Sequence, residues 1–200
     1  MIFAHFETPC PEVGSKERYV LSVPEGITTS GRPMSIALFD YYCPLPDCDC
    51  RRVKVKFSDL ATEPGAPPVA SILYGWEPMR FYRDLDDDPK LCASLVNGML
   101  DPYEELGPDS RKILRFFHCL ARKEPLVSLL PRHYRLFKQA ARRELDVDPS
   151  AKLFLPGRED SVMAEPWADG FNGGLGVVDL PPAMKPKRPP ARGGNPPPPI

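Results

Sequence analysis

From 52 to 58 the chain alternates basic and apolar residues: Val53, Val55 and Phe57 on one side, Arg52, Lys54 and Lys56 on the other. A period of two marks a strand with one face buried. The lysines on its outer side read as solvated or as guarding a sheet edge. Residues 19–23 (Tyr-Val-Leu-Ser-Val) read as a strand before it, and 35–42 as another. The latter is apolar on both sides, through Ile36, Ala37, Leu38 and Phe39, which is the pattern of a central strand. A further strand over 69–74 ends at Gly75. Turn formers separate these runs, at Pro24-Glu25-Gly26 and along Glu63-Pro64-Gly65-Ala66-Pro67-Pro68. The pattern predicts a small antiparallel sheet of three or four strands.

The period then changes to helical. Residues 77–85 predict a short helix or turn. Asp86, Asp87 and Asp88 followed by Pro89 form a helix-start signal, predicting a helix over 90–100. A calcium loop would need spaced ligands and a glycine, which this acidic run lacks. Pro108-Asp109-Ser110 caps a helix through 122, with Ile113, Leu114, Phe117, Leu120 and Ala121 on its inward face. Pro125 opens the last helix, which runs to about 145 with Pro131 as a site for a kink. The fold class expected is therefore α+β: a small antiparallel sheet with a cysteine-rich hairpin loop, followed by three or four helices packed on it.

After Asp146 the periodicity stops. Trp167, Phe171, Val177 and Val178 are scattered among glycines, and the end is rich in proline. The domain division is 1–147, an α+β metal-binding domain, and 148–200, a Pro/Gly-rich, largely disordered tail. The chain has 200 residues and 27 prolines, many of them in that tail. Its net charge of −1 gives no global field that would favour nucleic acid or acidic lipid. No apolar run approaches the ~20 residues of a membrane span, so no membrane partner is expected. The start of the chain lacks a basic stretch followed by an apolar core, and a cytoplasmic, reducing location is expected.

That location changes the meaning of the cysteines. Three of the six fall within eight residues, Cys43-x4-Cys48-x-Cys50. Cys48 and Cys50 are two apart and share a face on extended chain. Pro44, Pro46, Asp47 and Asp49 can fold Cys43 back toward them. In a reducing compartment such a cluster points to zinc, bound by thiolates with Arg51 and Arg52 offsetting their charge. Free thiols and a disulfide are the competing readings. Three cysteines leave a fourth ligand to be found. His133 is the candidate on position, because it shares an inward helical stripe with Leu129, Leu136 and Phe137. A core histidine with satisfied ring nitrogens is the plainer alternative. Cys10, Cys92, Cys119, His5, His118 and water are the other options.

The string Tyr41-Tyr42-Cys43-x2-Pro46-x-Cys48-Asp49-Cys50-Arg51-Arg52-Val53 is followed by Tyr74-Gly75-Trp76-Glu77 and by Arg132-His133-Tyr134-x-Leu136-Phe137-Lys138. Together these resemble a family of uncharacterised bacterial proteins, over about residues 18–140. Members often end in the short cysteine-rich zinc-binding tail known from the C-terminus of the SecA translocation motor. The resemblance implies a structured, metal-bound domain and no particular reaction. This chain departs from the family at its end, where no cysteine follows Pro190-Ala191-Arg192-Gly193-Gly194-Asn195.

Three functions fit these residues. The favoured one is a zinc-binding interaction module for a macromolecular partner, with the loop presenting Tyr41, Tyr42 and Leu45. The second is a metal-dependent enzyme with an open three-cysteine zinc site, in which Asp47, Asp49 or Glu77 serves as general base. No phosphate loop, serine-nucleophile or His-Glu-x-x-His motif supports it. The third is nucleic-acid binding through the basic last two helices, where ten Lys or Arg stand against three Asp or Glu from Pro108 to Glu144. A solvated face explains that stripe at least as well.

Overall fold

The computed structural model describes residues 3–25, 28–63, 65–147 and the backbone of 176–178. Four long strands form an antiparallel meander: β2 (Tyr19–Val23), β3 (Met34–Tyr42), β4 (Arg52–Asp59) and β5 (Ala70–Gly75). A short β1 (Ala4–His5) pairs with the end of β3, opposite Tyr41 and Tyr42. After it come α1 (Pro11–Lys16), and, past β5, α2 (Met79–Arg83) and α3 (Pro89–Asn97). The chain continues through β6 (Met99–Leu100), α4 (Ser110–Leu120) and α5 (Leu126–Val147). The class is α+β, as the periodicities predict.

The alternation in β4 does what its period demands. Val53, Val55 and Phe57 are buried with Ile36, Leu38, Tyr42 and Ile72 beneath α4 and α5. Those helices close the core with Ile113, Phe116 and Phe117 from one and Leu130, Tyr134 and Phe137 from the other. A smaller apolar cluster, Val20, Ala37 and Phe39, occupies the opposite face of the sheet. Because β4 lies between β3 and β5, its lysines do not guard an edge. Lys54 pairs with Asp101 at 2.8 Å and with Glu104 at 3.0 Å, and Lys56 with Glu104 at 3.1 Å. Arg52, expected outward, is buried and sits over the Tyr82 ring.

Two further departures have local causes. The helix over 90–100 stops at Asn97, because Gly98 takes a left-handed φ of 82°. The next two residues extend instead and pair with Ile72 and Leu73. At its start the helix is as read: the Asp88 carboxylate accepts from the Lys90 N–H at 2.8 Å. Asp109 is the N-cap residue of α4, as read, but its side chain makes no capping hydrogen bond. Its carboxylate accepts from the Thr29 N–H at 2.8 Å and hydroxyl at 2.6 Å, tying the start of α4 to the loop before β3.

The segment 148–200, read as a disordered tail, lies outside the described residues except for one piece. Gly176–Val178 form β7, which pairs in parallel with Tyr19–Leu21 and gives the sheet the order β6-β5-β4-β3-β2-β7. The meander is therefore the centre of a seven-stranded sheet.

Candidate metal centre

The loop 43–51 joins β3 to β4 across a ladder that ends at Tyr42 opposite Val53. The hairpin brings Cys43 to the end of one strand and Cys50 to the start of the next. The Cys48 N–H donates to the Leu45 carbonyl at 3.2 Å, which folds the intervening Pro46 and Asp47 into a turn. The result is that the sulfurs of Cys43, Cys48 and Cys50 all lie within 4.8 Å of one another. Cys43 and Cys50 are buried, and Cys48 is partly exposed.

Four contacts hold the loop in that shape. Arg51, directly after Cys50, has a left-handed φ of 46°, a conformation costly for a residue with a Cβ. Its carbonyl accepts from the Tyr82 hydroxyl at 2.8 Å. Its guanidinium pairs with Asp49 at 2.8 Å and Glu77 at 2.9 Å. From the other side, α5 contributes Tyr134, whose hydroxyl lies 3.2 Å from both the Cys48 carbonyl and Asp49. One turn on, the buried Lys138 ammonium donates to the carbonyls of Cys43 and Leu45.

The electrostatics favour thiolate at Cys43. A hydrogen bond from the Cys50 thiol stabilises its charge and, with the Leu45 N–H and the Lys138 ammonium, outweighs burial to bring Cys43 down to about 5. Cys50 is pushed well above the ordinary thiol range, because it holds the shared proton toward Cys43 and is itself buried. The direction of the shift at Cys43 favours its charged form, and a metal ion bound there would displace the thiol protons. Three sulfur donors at this separation could hold a metal ion.

His133 belongs elsewhere. It does face inward, only 2 % exposed, but toward the N-terminal segment rather than the cysteine loop. Its Nδ1 is 2.8 Å from Asp40 Oδ2, and its Nε2 is 3.0 Å from Glu17 Oε2. Its ring stacks on Phe6 with centroids 3.9 Å apart. Both nitrogens are engaged, and His133 is not gathered with the three sulfurs, an arrangement that fits the plainer alternative of a satisfied core histidine. The residues that α5 sends to the loop, Tyr134 and Lys138, were missed. Tyr134 lies in the same quoted string as His133, but a lysine among arginines gave no sign of being buried.

The other candidates are also accounted for. The Cys92 thiol donates to the Asp86 carbonyl at 3.4 Å, and His118 Nε2 is 3.2 Å from the Gly98 carbonyl. His5 lies against Phe39 and Tyr41. Cys10 and Cys119 stand apart from the three clustered sulfurs. All six cysteines and all three histidines are among the described residues, and none of the others joins the three clustered sulfurs.

The basic stripe of α5 is shorter than its sequence suggests. Arg132 pairs with Glu17, and Lys138 is buried, leaving Arg135, Arg142 and Arg143 exposed. Among the described residues no helix is long and apolar enough to cross a membrane. Compared with protein families, curated proteins and solved structures, the chain matches none.

Proposed function

We propose that this chain is a zinc-binding domain that works as an interaction module. The observation that carries the reading is the convergence of three cysteine sulfurs within 4.8 Å at the tip of the central hairpin. The donor set fits zinc: three sulfurs, with the Lys138 ammonium beside Cys43 to offset the charge of three thiolates on one divalent ion. Cys43, Cys48 and Cys50 would hold the ion.

The ion would fasten β3, β4 and, through Lys138, the last helix. A loop of nine residues with four acidic or proline turn formers has little apolar surface of its own to hold it. Metal binding free energy then serves as folding free energy for the loop. Thiolate-rich sites of this kind are more often structural than catalytic, which favours a module over an enzyme. The presentation surface differs from the one expected. Tyr42 is fully buried and Tyr41 packs on the sheet, so of the three proposed contact residues only Leu45 is exposed, at 61 %.

The test is metal content of the purified protein beside its Cys48→Ser variant, made under reducing conditions. About one zinc per chain, lost or greatly weakened in the variant, is the expected result. Less than a tenth of an equivalent in the unaltered protein would refute the reading.

A further inference from the structure

The zinc reading leaves a chemical question that the fold answers. A tetrahedral ion on three sulfurs needs a fourth donor, and no other cysteine or histidine of this chain reaches the cluster. Among the described residues no carboxylate joins it either. The described residues leave that position open to a donor from solution, and what surrounds the cluster bears on which one it takes.

Cys48, the partly exposed member, lines a cleft of about 390 Å³ between the loop 46–49 and the outer face of α5. That is the size of a small-molecule site. The helix wall carries Arg135, Lys138, Gln139 and Arg142, which share one face at spacings of three, four and seven. Arg135 and Arg142 are exposed and have no acidic partner among the described residues. The opposite wall holds Asp47 and Asp49, the latter already taken by Arg51 and Tyr134.

We propose, resting on the zinc reading, that this cleft binds a small thiol bearing a carboxylate. Its sulfur becomes the fourth ligand of the ion, and its carboxylate is held by Arg135 and Arg142. A soft ion on three thiolates takes a fourth sulfur in preference to oxygen. The thiol binds as thiolate, its proton passes to solvent, and any water on the ion leaves. The site then carries two net negative charges, and the cationic wall of α5 faces them. Guanidinium groups pair with carboxylates by two parallel hydrogen bonds, which fixes the other end of the ligand.

Cobalt(II) in place of zinc makes the site visible, since each sulfur bound to cobalt adds a charge-transfer band. The full chain is loaded with cobalt and titrated with 3-mercaptopropionate, 2-mercaptoethanol and propionate. The expected result is a saturable gain of one sulfur's band with 3-mercaptopropionate, about tenfold tighter than with 2-mercaptoethanol. In the Arg135→Gln/Arg142→Gln variant that preference disappears while cobalt still binds. An unchanged cobalt spectrum on adding either thiol would overturn the proposal and leave the metal centre standing. Equal affinity of the two thiols, or an equal response to propionate, would overturn the assignment of ligand class. Failure to form any sulfur-to-cobalt band before a ligand is added would overturn the metal centre and the proposal together.

Discussion

The Lys138 ammonium donates to the Cys43 carbonyl at 3.0 Å, joining the last helix to the first cysteine of the hairpin loop. The same ammonium reaches the Leu45 carbonyl, so one buried cation holds the two residues that shape the turn. It also lowers the cost of gathering thiolates nearby. Lys138→Met keeps the side-chain length and removes the charge. Zinc affinity should fall by about tenfold, in the range seen when groups supporting metal ligands are lost. The two loop carbonyls lose a charged donor, costing about 2 kcal/mol. Chelator competition and denaturant unfolding measure the two effects separately.

His133→Ala should give the opposite pattern. Metal content should be unchanged in the variant, because the ring is held by Asp40 and Glu17 and is not gathered with the sulfurs. Stability falls by about 3 kcal/mol, from the cavity beside Phe6 and a partly buried Asp40 carboxylate left with the Tyr42 hydroxyl. A variant that lost metal at native stability would contradict the placement of this ring.

Gly75 is a second handle on the loop from a distance. A Cβ there would stand 2.4 Å from the Tyr82 hydroxyl oxygen. That hydroxyl donates to the Arg51 carbonyl, beside the left-handed turn that follows Cys50. Gly75→Ala should therefore displace Tyr82, cost about 2 kcal/mol of stability and weaken zinc binding. Tyr82→Phe removes only the hydroxyl and should weaken binding with less loss of stability. Equal zinc affinity in both variants and the parent would show that Tyr82 does not support the loop.

Asp109 supplies a pH dependence. Burial raises its carboxyl, but hydrogen bonds from Thr29 and the nearby Lys112 ammonium outweigh this and leave it below the usual value of 3.8. A carboxyl with a depressed folded value binds fewer protons than in the unfolded chain as pH falls past 3.8. Its stabilisation is complete above that point and is lost as pH drops through the folded value. The denaturant midpoint of the parent should thus fall toward that of Asp109→Asn between about pH 5 and pH 2. Parallel curves over that range would remove Asp109 as the cause.

Truncation after Val147 removes β7 and uncovers the outer edge of β2. The domain should still unfold cooperatively, because the core beneath α4 and α5 is complete without it. The lost ladder should cost about 2 kcal/mol and leave an edge open to self-pairing. Thermal unfolding and light scattering report the two consequences.

The strands β2 to β5, their antiparallel order, the cysteine loop at the hairpin tip and the start of α3 were legible in the sequence alone. Each rests on a local rule: a side-chain period of two, turn formers at fixed offsets, an aspartate before a proline. The three clustered sulfurs follow from the same locality, since nine residues between two paired strands cannot stray far. Tertiary structure decided the rest. Helical periodicity showed that His133 faces inward, but not which part of the sheet lay beneath it, and Asp40 stands 93 positions away in sequence. Lys138 and Arg52 looked solvated because a buried cation and an exposed one share a letter, and only packed carbonyls or a facing aromatic ring distinguish them. Strands of two and three residues such as β6 and β7 have no period to read, and exist because a longer neighbour offers its unpaired edge.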